Sequence, residues 1–147
     1  MIVPRQYLID TGVFVRFFVE DDELHPIVAA AVRKAFADGS RICFTPQVAR
    51  EAWTVFTRPS PVGGYGISLS EAAKYVQQAR KVFDFAPDTL EVYERWLDLV
   101  QEYRVSGRQA HDANHAAAMI THGLDTVLTL DRRDFGRYTE IDVHLLT

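Results

Sequence analysis

The chain has 147 residues, 48% of them hydrophobic, and a formal charge of −4. That length and apolar content suit one well-buried core, so residues 1–147 read as a single domain, and a disordered or fibrous chain is excluded. The single cysteine, Cys43, excludes an intrachain disulfide and cysteine-bound zinc, and no apolar run nears the roughly 18 residues that span a bilayer.

The first element in chain order is a strand at Tyr7-Leu8-Ile9, stopped by Asp10, followed by a helix over residues 12–19 capped by Asp10 or Thr11. Residues 26–37 form a second helix, ended by Asp38-Gly39. Residues 41–44 form a strand in which Cys43 is a buried apolar residue rather than a nucleophile. Pro46 opens a helix that runs to about Thr57 and is stopped by Pro59. On its wheel Gln47, Arg50, Glu51, Thr54, Thr57 and Arg58 share a polar arc, and Val48, Ala49, Ala52, Trp53, Val55 and Phe56 form the buried side. Residues 58–68, rich in proline and glycine, read as a flexible connector rather than a gate.

Ser70 with Glu71 begins the next helix, to about Lys81, and residues 82–85 form a brief strand. Asp88 or Thr89 caps a long helix to Tyr103. Asp112 opens an alanine-rich helix to His122, residues 126–130 form an apolar strand stopped by Asp131, and residues 141–144 form the last strand. Strands alternating with helices predict an α/β protein with a mainly parallel sheet.

Parallel strands ending in Asp10 and Asp131 bring both acids to the carboxyl edge of the sheet, where such folds bind ligands. Carboxylates gathered there repel unless a cation neutralises them, which points to a hard metal ion and to chemistry on phosphate. Each acid also has a plain explanation, because an aspartate at the start of a helix is favoured as a cap. Asp112 resists that explanation, since it shares a face with Ala116 and Met119 and so points toward packed structure. Glu51, at the edge of its polar arc, fits the rim of a cleft as well as open solvent.

Other chemistries are excluded or disfavoured. A dehalogenase-type phosphatase needs a second aspartate where Gly12 stands, and no GxxxxGK[ST] loop is present. His111 and His115 have a zinc-compatible spacing, but HDANH is not HExxH and no third ligand is evident, so both read as solvated or capping histidines. The negative charge argues only mildly against nucleic acid. Two divalent cations would cancel it, and all basic residues except Lys34, Lys74 and Lys81 are arginine, which suits bidentate phosphate contacts.

The ordered set LIDTGVFV, PQVAREAWTVFTRP, HDANHAAAMITHG and VLTLDRRDF resembles the PIN-domain ribonucleases, and within them the VapC-type toxins of toxin–antitoxin pairs. The resemblance implies a three-layer α/β/α sandwich, with Asp10, Glu51, Asp112 and Asp131 holding Mg²⁺ or Mn²⁺ and Asp134 sharing or replacing the role of Asp131. It implies hydrolysis of RNA by metal-activated water, leaving a 5′-phosphate, with Thr11 and Thr129 orienting ligands or water. Arg58 is a candidate phosphate contact. The implied partners are RNA, a cognate antitoxin and a second copy in a homodimer; separately, the opening MIVPRQY carries no basic stretch followed by a long apolar segment, which with the lack of a spanning run predicts a cytoplasmic location away from membranes. The competing expectation is a non-catalytic module that binds RNA or protein, using residues such as Trp53, Phe56, Tyr65, Tyr93 and Trp96.

Overall fold

The computed structural model describes residues 3–146. Its strands are β1 (Gln6–Ile9), β2 (Arg41–Phe44), β3 (Asp84–Phe85), β4 (Thr126–Thr129) and β5 (Asp142–Leu145). Its α-helices are α1 (Thr11–Phe18), α2 (His25–Ala37), α3 (Pro46–Thr57), α4 (Leu69–Val82), α5 (Leu90–Glu102) and α6 (Gln109–His122). The strands make one sheet in the order β3-β2-β1-β4-β5, and every pairing is parallel. With the helices this is a three-layer α/β/α sandwich.

The register follows from side chains that bury only when matched. Tyr7 pairs with Thr126, Leu8 with Val127 and Ile9 with Leu128, and all six are buried. The chain leaves β1 toward β2 on one side and reaches β4 on the other, so the sheet has its topological switch point between β1 and β4. An Asp10 N–H bond to the Leu128 carbonyl at 3.0 Å carries that ladder one residue past β1.

The core has two textures. Phe14, Phe18, Phe44 and Phe83 form an aromatic cluster, with Phe14 at 5.1 Å from Phe18 and 5.6 Å from Phe44. On α6, by contrast, Ala113, Ala116, Ala117 and Met119 are fully buried, and small side chains let this helix sit close to its neighbours. Cys43 is buried on β2, and desolvation pushes its thiol up to about 11, which makes it unreactive.

Several predicted boundaries shift for local reasons. The α4 cap is Ser68, whose hydroxyl accepts the Glu71 N–H at 3.2 Å, two residues before the predicted start at Ser70. Helix α6 begins at Gln109, so Asp112 lies within its first turn and caps nothing. No helix follows Asp131; its carboxylate instead accepts the Arg133 N–H at 2.9 Å in a short turn. Trp53 lies on the exposed side of α3 rather than in the core.

The segment between α3 and α4 folds back on α3 instead of running free. The Tyr65 and Ile67 N–H groups donate to the Val55 and Phe56 carbonyls at 3.1 and 2.8 Å, and the Tyr65 hydroxyl donates to Asp22. Gly64 is required by close approach, because a Cβ there would meet the Arg58 carbonyl oxygen at 2.0 Å.

Candidate metal centre

Asp10 ends β1 and caps α1, so strand geometry and helix start both fix its carboxylate. Oδ1 accepts the Thr11 N–H at 2.9 Å and Oδ2 accepts the Thr129 hydroxyl at 2.7 Å. Thr129 is fully buried at the end of β4, the strand beside β1. Burial raises the Asp10 carboxyl above the ordinary aspartate value, against the opposing pull of His115 and these hydrogen bonds.

Glu51 arrives from α3, whose start is set by the Thr45 cap and Pro46. Its Oε1 accepts the Thr11 hydroxyl at 2.7 Å, so Thr11 bonds Asp10 through its backbone and Glu51 through its side chain. Gln47 donates to Oε2 at 3.0 Å, and the His115 Nε2 stands 3.2 Å from Oε1. Burial alone would raise the Glu51 carboxyl, but the His115 hydrogen bond and charge, with Thr11 and Gln47, hold it down at about 2. Glu51 is therefore ionised throughout the physiological range.

Asp112 is raised, first by burial and then by the repulsion of Asp134, Glu51 and Asp10, with His115 opposing. Asp134 likewise raises Asp10. Asp10, Glu51, Asp112 and Asp134 thus share one electrostatic neighbourhood. Asp131 meets the same Thr129 hydroxyl through its backbone, its N–H donating at 3.0 Å, while its carboxylate accepts from the Arg133 guanidinium at 2.7 Å and is lowered to about 2 by that hydrogen bond. Arg58, the residue that ends α3, lies two turns beyond Glu51, roughly 10 Å along the axis.

His115 is the residue that sequence reasoning missed. It is only 3% exposed, where a solvated or capping histidine was expected, and with Nε2 beside Glu51 it cannot join His111 in a zinc pair. The signal was present in its position three residues after Asp112 and four before Met119, on the same helix face as both. Gln47 and Asn114 complete the support: Asn114 donates to Gln47 at 2.8 Å, and Gln47 also donates to the His111 carbonyl at 2.9 Å.

The donor set suits a hard divalent ion. Its free groups are carboxylate oxygens, the only imidazole among them is committed to Glu51, and the charge they concentrate calls for a cation. As the side chains stand, no three of His, Cys, Asp and Glu among the described residues are close enough to hold one ion together.

The fold is a parallel α/β sheet with acids at the carboxyl ends of its central strands, the edge at which such sheets bind ligands. The sequence pattern of the PIN domain matches residues 7–141, and the chain belongs to the PIN-domain family. No curated protein matches it by sequence. Among solved structures it is similar to VapBC2 from Rickettsia felis bound to a promoter DNA fragment, with 12% identity, a TM-score of 0.71, and 95% of this chain and 98% of that one covered. It is also similar to VapC20 from Mycobacterium tuberculosis, a toxin that cleaves the sarcin-ricin loop, with 16% identity, a TM-score of 0.65, and coverage of 90% and 95%. A toxin–antitoxin complex from Klebsiella pneumoniae has 19% identity, a TM-score of 0.62, and coverage of 96% and 98%.

Proposed function

We propose that the chain is a metal-dependent endoribonuclease and the toxin of a toxin–antitoxin pair, with Asp10, Glu51 and Asp112 as its principal carboxylates. The observation that carries this reading is the meeting of Asp10 and Glu51 on Thr11 at the switch point of the sheet, beside Asp112 and Asp134. Of the two candidates for a fourth acid, Asp134 is favoured because Asp131 is already neutralised by Arg133.

Bound Mg²⁺ or Mn²⁺ would activate water for attack on phosphorus and offset the charge that develops on the phosphate. The protein's own part is positioning. Thr129 fixes Asp10, Thr11 ties Asp10 to Glu51, and His115 with Gln47 keeps Glu51 an aligned anion. Arg108, Arg133 and Arg137 line the cavities that Asp112 and Asp134 share, the larger of about 610 Å³, and supply cationic contacts for the phosphates on either side of the cut.

The partner in this reading is a protein antitoxin, as in the VapBC complexes the fold resembles, and a second copy of the chain completes a homodimer. The test is cleavage of total RNA by purified protein with Mg²⁺ or Mn²⁺, with a chelator, and with the Asp112→Asn variant. Cleavage that needs the metal and disappears in Asp112→Asn supports the reading. Binding of RNA without cleavage under every metal condition would favour a non-catalytic PIN-like module.

A further inference from the structure

One cavity beside the carboxylates has no role in the chemistry above. It holds about 510 Å³ and is lined by Gln47, Arg50, Trp96, His111 and Asn114, with Glu51 as one wall. Asp112 lines the arginine-rich cavities instead, so the two sets of walls are contributed by neighbouring residues in the first turns of α6.

The Trp96 indole N–H donates to the Ala110 carbonyl at 2.8 Å, which ties the ring to α6 and removes the entropy it would lose on binding a ligand. Tyr93 lies beside it with ring centroids 6.1 Å apart and is 56% exposed. Arg50 is held only by a loose 3.6 Å ion pair to Asp88 in open solvent, which an arriving phosphate displaces at little cost. Asn114 spends one amide hydrogen on Gln47, and Gln47 is itself fixed by Glu51 and the His111 carbonyl. The second amide hydrogen and the amide oxygen remain, a donor and an acceptor side by side on a braced side chain.

A fixed aromatic ring, a free guanidinium and an oriented amide together match one nucleotide: a flat base, a phosphate and a polar base edge. We propose that this cavity receives one unpaired base of the RNA strand, stacked on Trp96, next to the phosphate held at the carboxylates. The proposal rests on the ribonuclease reading and deepens it, since it makes the substrate single-stranded at that position and gives the enzyme a means of choosing its cutting site. Trp96 is half-buried against the core and Tyr93 is exposed, an aromatic edge that also suits a protein partner, but the polar groups here run directly into Glu51, where a strand crossing the carboxylates would lie.

The test measures binding of short single-stranded RNAs of mixed sequence, and of versions lacking one base at each position in turn, to the Asp112→Asn chain. Trp96→Ala should weaken binding by roughly 5- to 150-fold, the range for loss of one base–aromatic stack. Trp96→Phe should restore most of it. Removing one particular base should cost the same in the Trp96 chain and nothing further in Trp96→Ala. Tyr93→Ala, whose side chain is mostly exposed, should give a smaller loss without disturbing the core. Unchanged RNA affinity in Trp96→Ala overturns the proposal, as does a change in oligomeric mass with no change in RNA affinity, which would mark a protein interface. Base-dependent binding by a chain that never cleaves RNA would sink the ribonuclease reading alone, and metal-dependent cleavage indifferent to Trp96 would sink the base pocket alone.

Discussion

Replacing His115 with alanine separates support of the site from mere burial. The imidazole is nearly inaccessible and its Nε2 lies 3.2 Å from the Glu51 carboxylate, while its Nδ1 is buried with no partner. A hydrogen bond to a charged group contributes about 1.5–3 kcal/mol, but the Glu51 side chain is 40% exposed and water replaces part of the loss, leaving about 1 kcal/mol. The hole left against Phe135 costs about 2 kcal/mol, and release of the orphaned Nδ1 returns about 1 kcal/mol. The net destabilisation is about 2 kcal/mol, or roughly 4–8 °C in Tm for a chain of this size.

The pH dependence carries a sign. Glu51 raises the His115 pKa despite burial, so the histidine's contribution is complete below its ordinary value of 6.5 and is lost as pH rises through its folded value. Glu51 is held at about 2, so its contribution is complete above its ordinary value of 4.5 and fades as pH falls toward 2. Urea unfolding in EDTA should therefore show the largest deficit for His115→Ala between about pH 4.5 and 6.5 and a smaller one on either side. A deficit under about 0.5 kcal/mol, or one that grows toward alkaline pH, would refute the reasoning.

Gly64→Ala should destabilise by about 1–3 kcal/mol in chemical denaturation, because its Cβ must displace the Arg58 carbonyl, and should expose residues 58–68 to limited proteolysis. Tyr65→Phe should flatten the stability profile at both ends. Burial and the Asp22 hydrogen bond push the Tyr65 hydroxyl up to about 12, so the wild-type chain loses stability between pH 10 and 12. Although burial opposes it, Tyr65 helps to lower Asp22, so stability also falls as pH drops below 3.8. Asp134→Asn should cut RNA cleavage at least tenfold, whereas Asp131→Asn, whose carboxylate pairs with Arg133, should cost only a few-fold in single-turnover rate.

Much of the architecture was written in local chemistry. Capping residues, Pro46 and the Asp38-Gly39 stop located most helix ends, and the apolar runs ending in Asp10 and Asp131 belong to adjacent parallel strands as their pattern required. What stayed hidden depends on partners distant in the chain. A wheel of α3 groups Trp53 with apolar residues because it cannot tell which flank neighbouring elements cover. His115 resembles any polar residue near a helix start until Glu51 arrives from α3 to accept its hydrogen bond. Proline and glycine in residues 58–68 signal turns correctly, but not that those turns bond back to α3. Asp131 ended its strand as expected, while the pairing with Arg133 two residues on followed from a turn that replaced the anticipated helix.

The most direct measurement is Mn²⁺ binding to the purified chain by calorimetry or electron paramagnetic resonance, without RNA. The account predicts saturable binding that is abolished by Asp112→Asn, abolished by Asp10→Asn and preserved in Asp131→Asn, with all three proteins folded. Mn²⁺ affinity unchanged by loss of both Asp10 and Asp112 would contradict it.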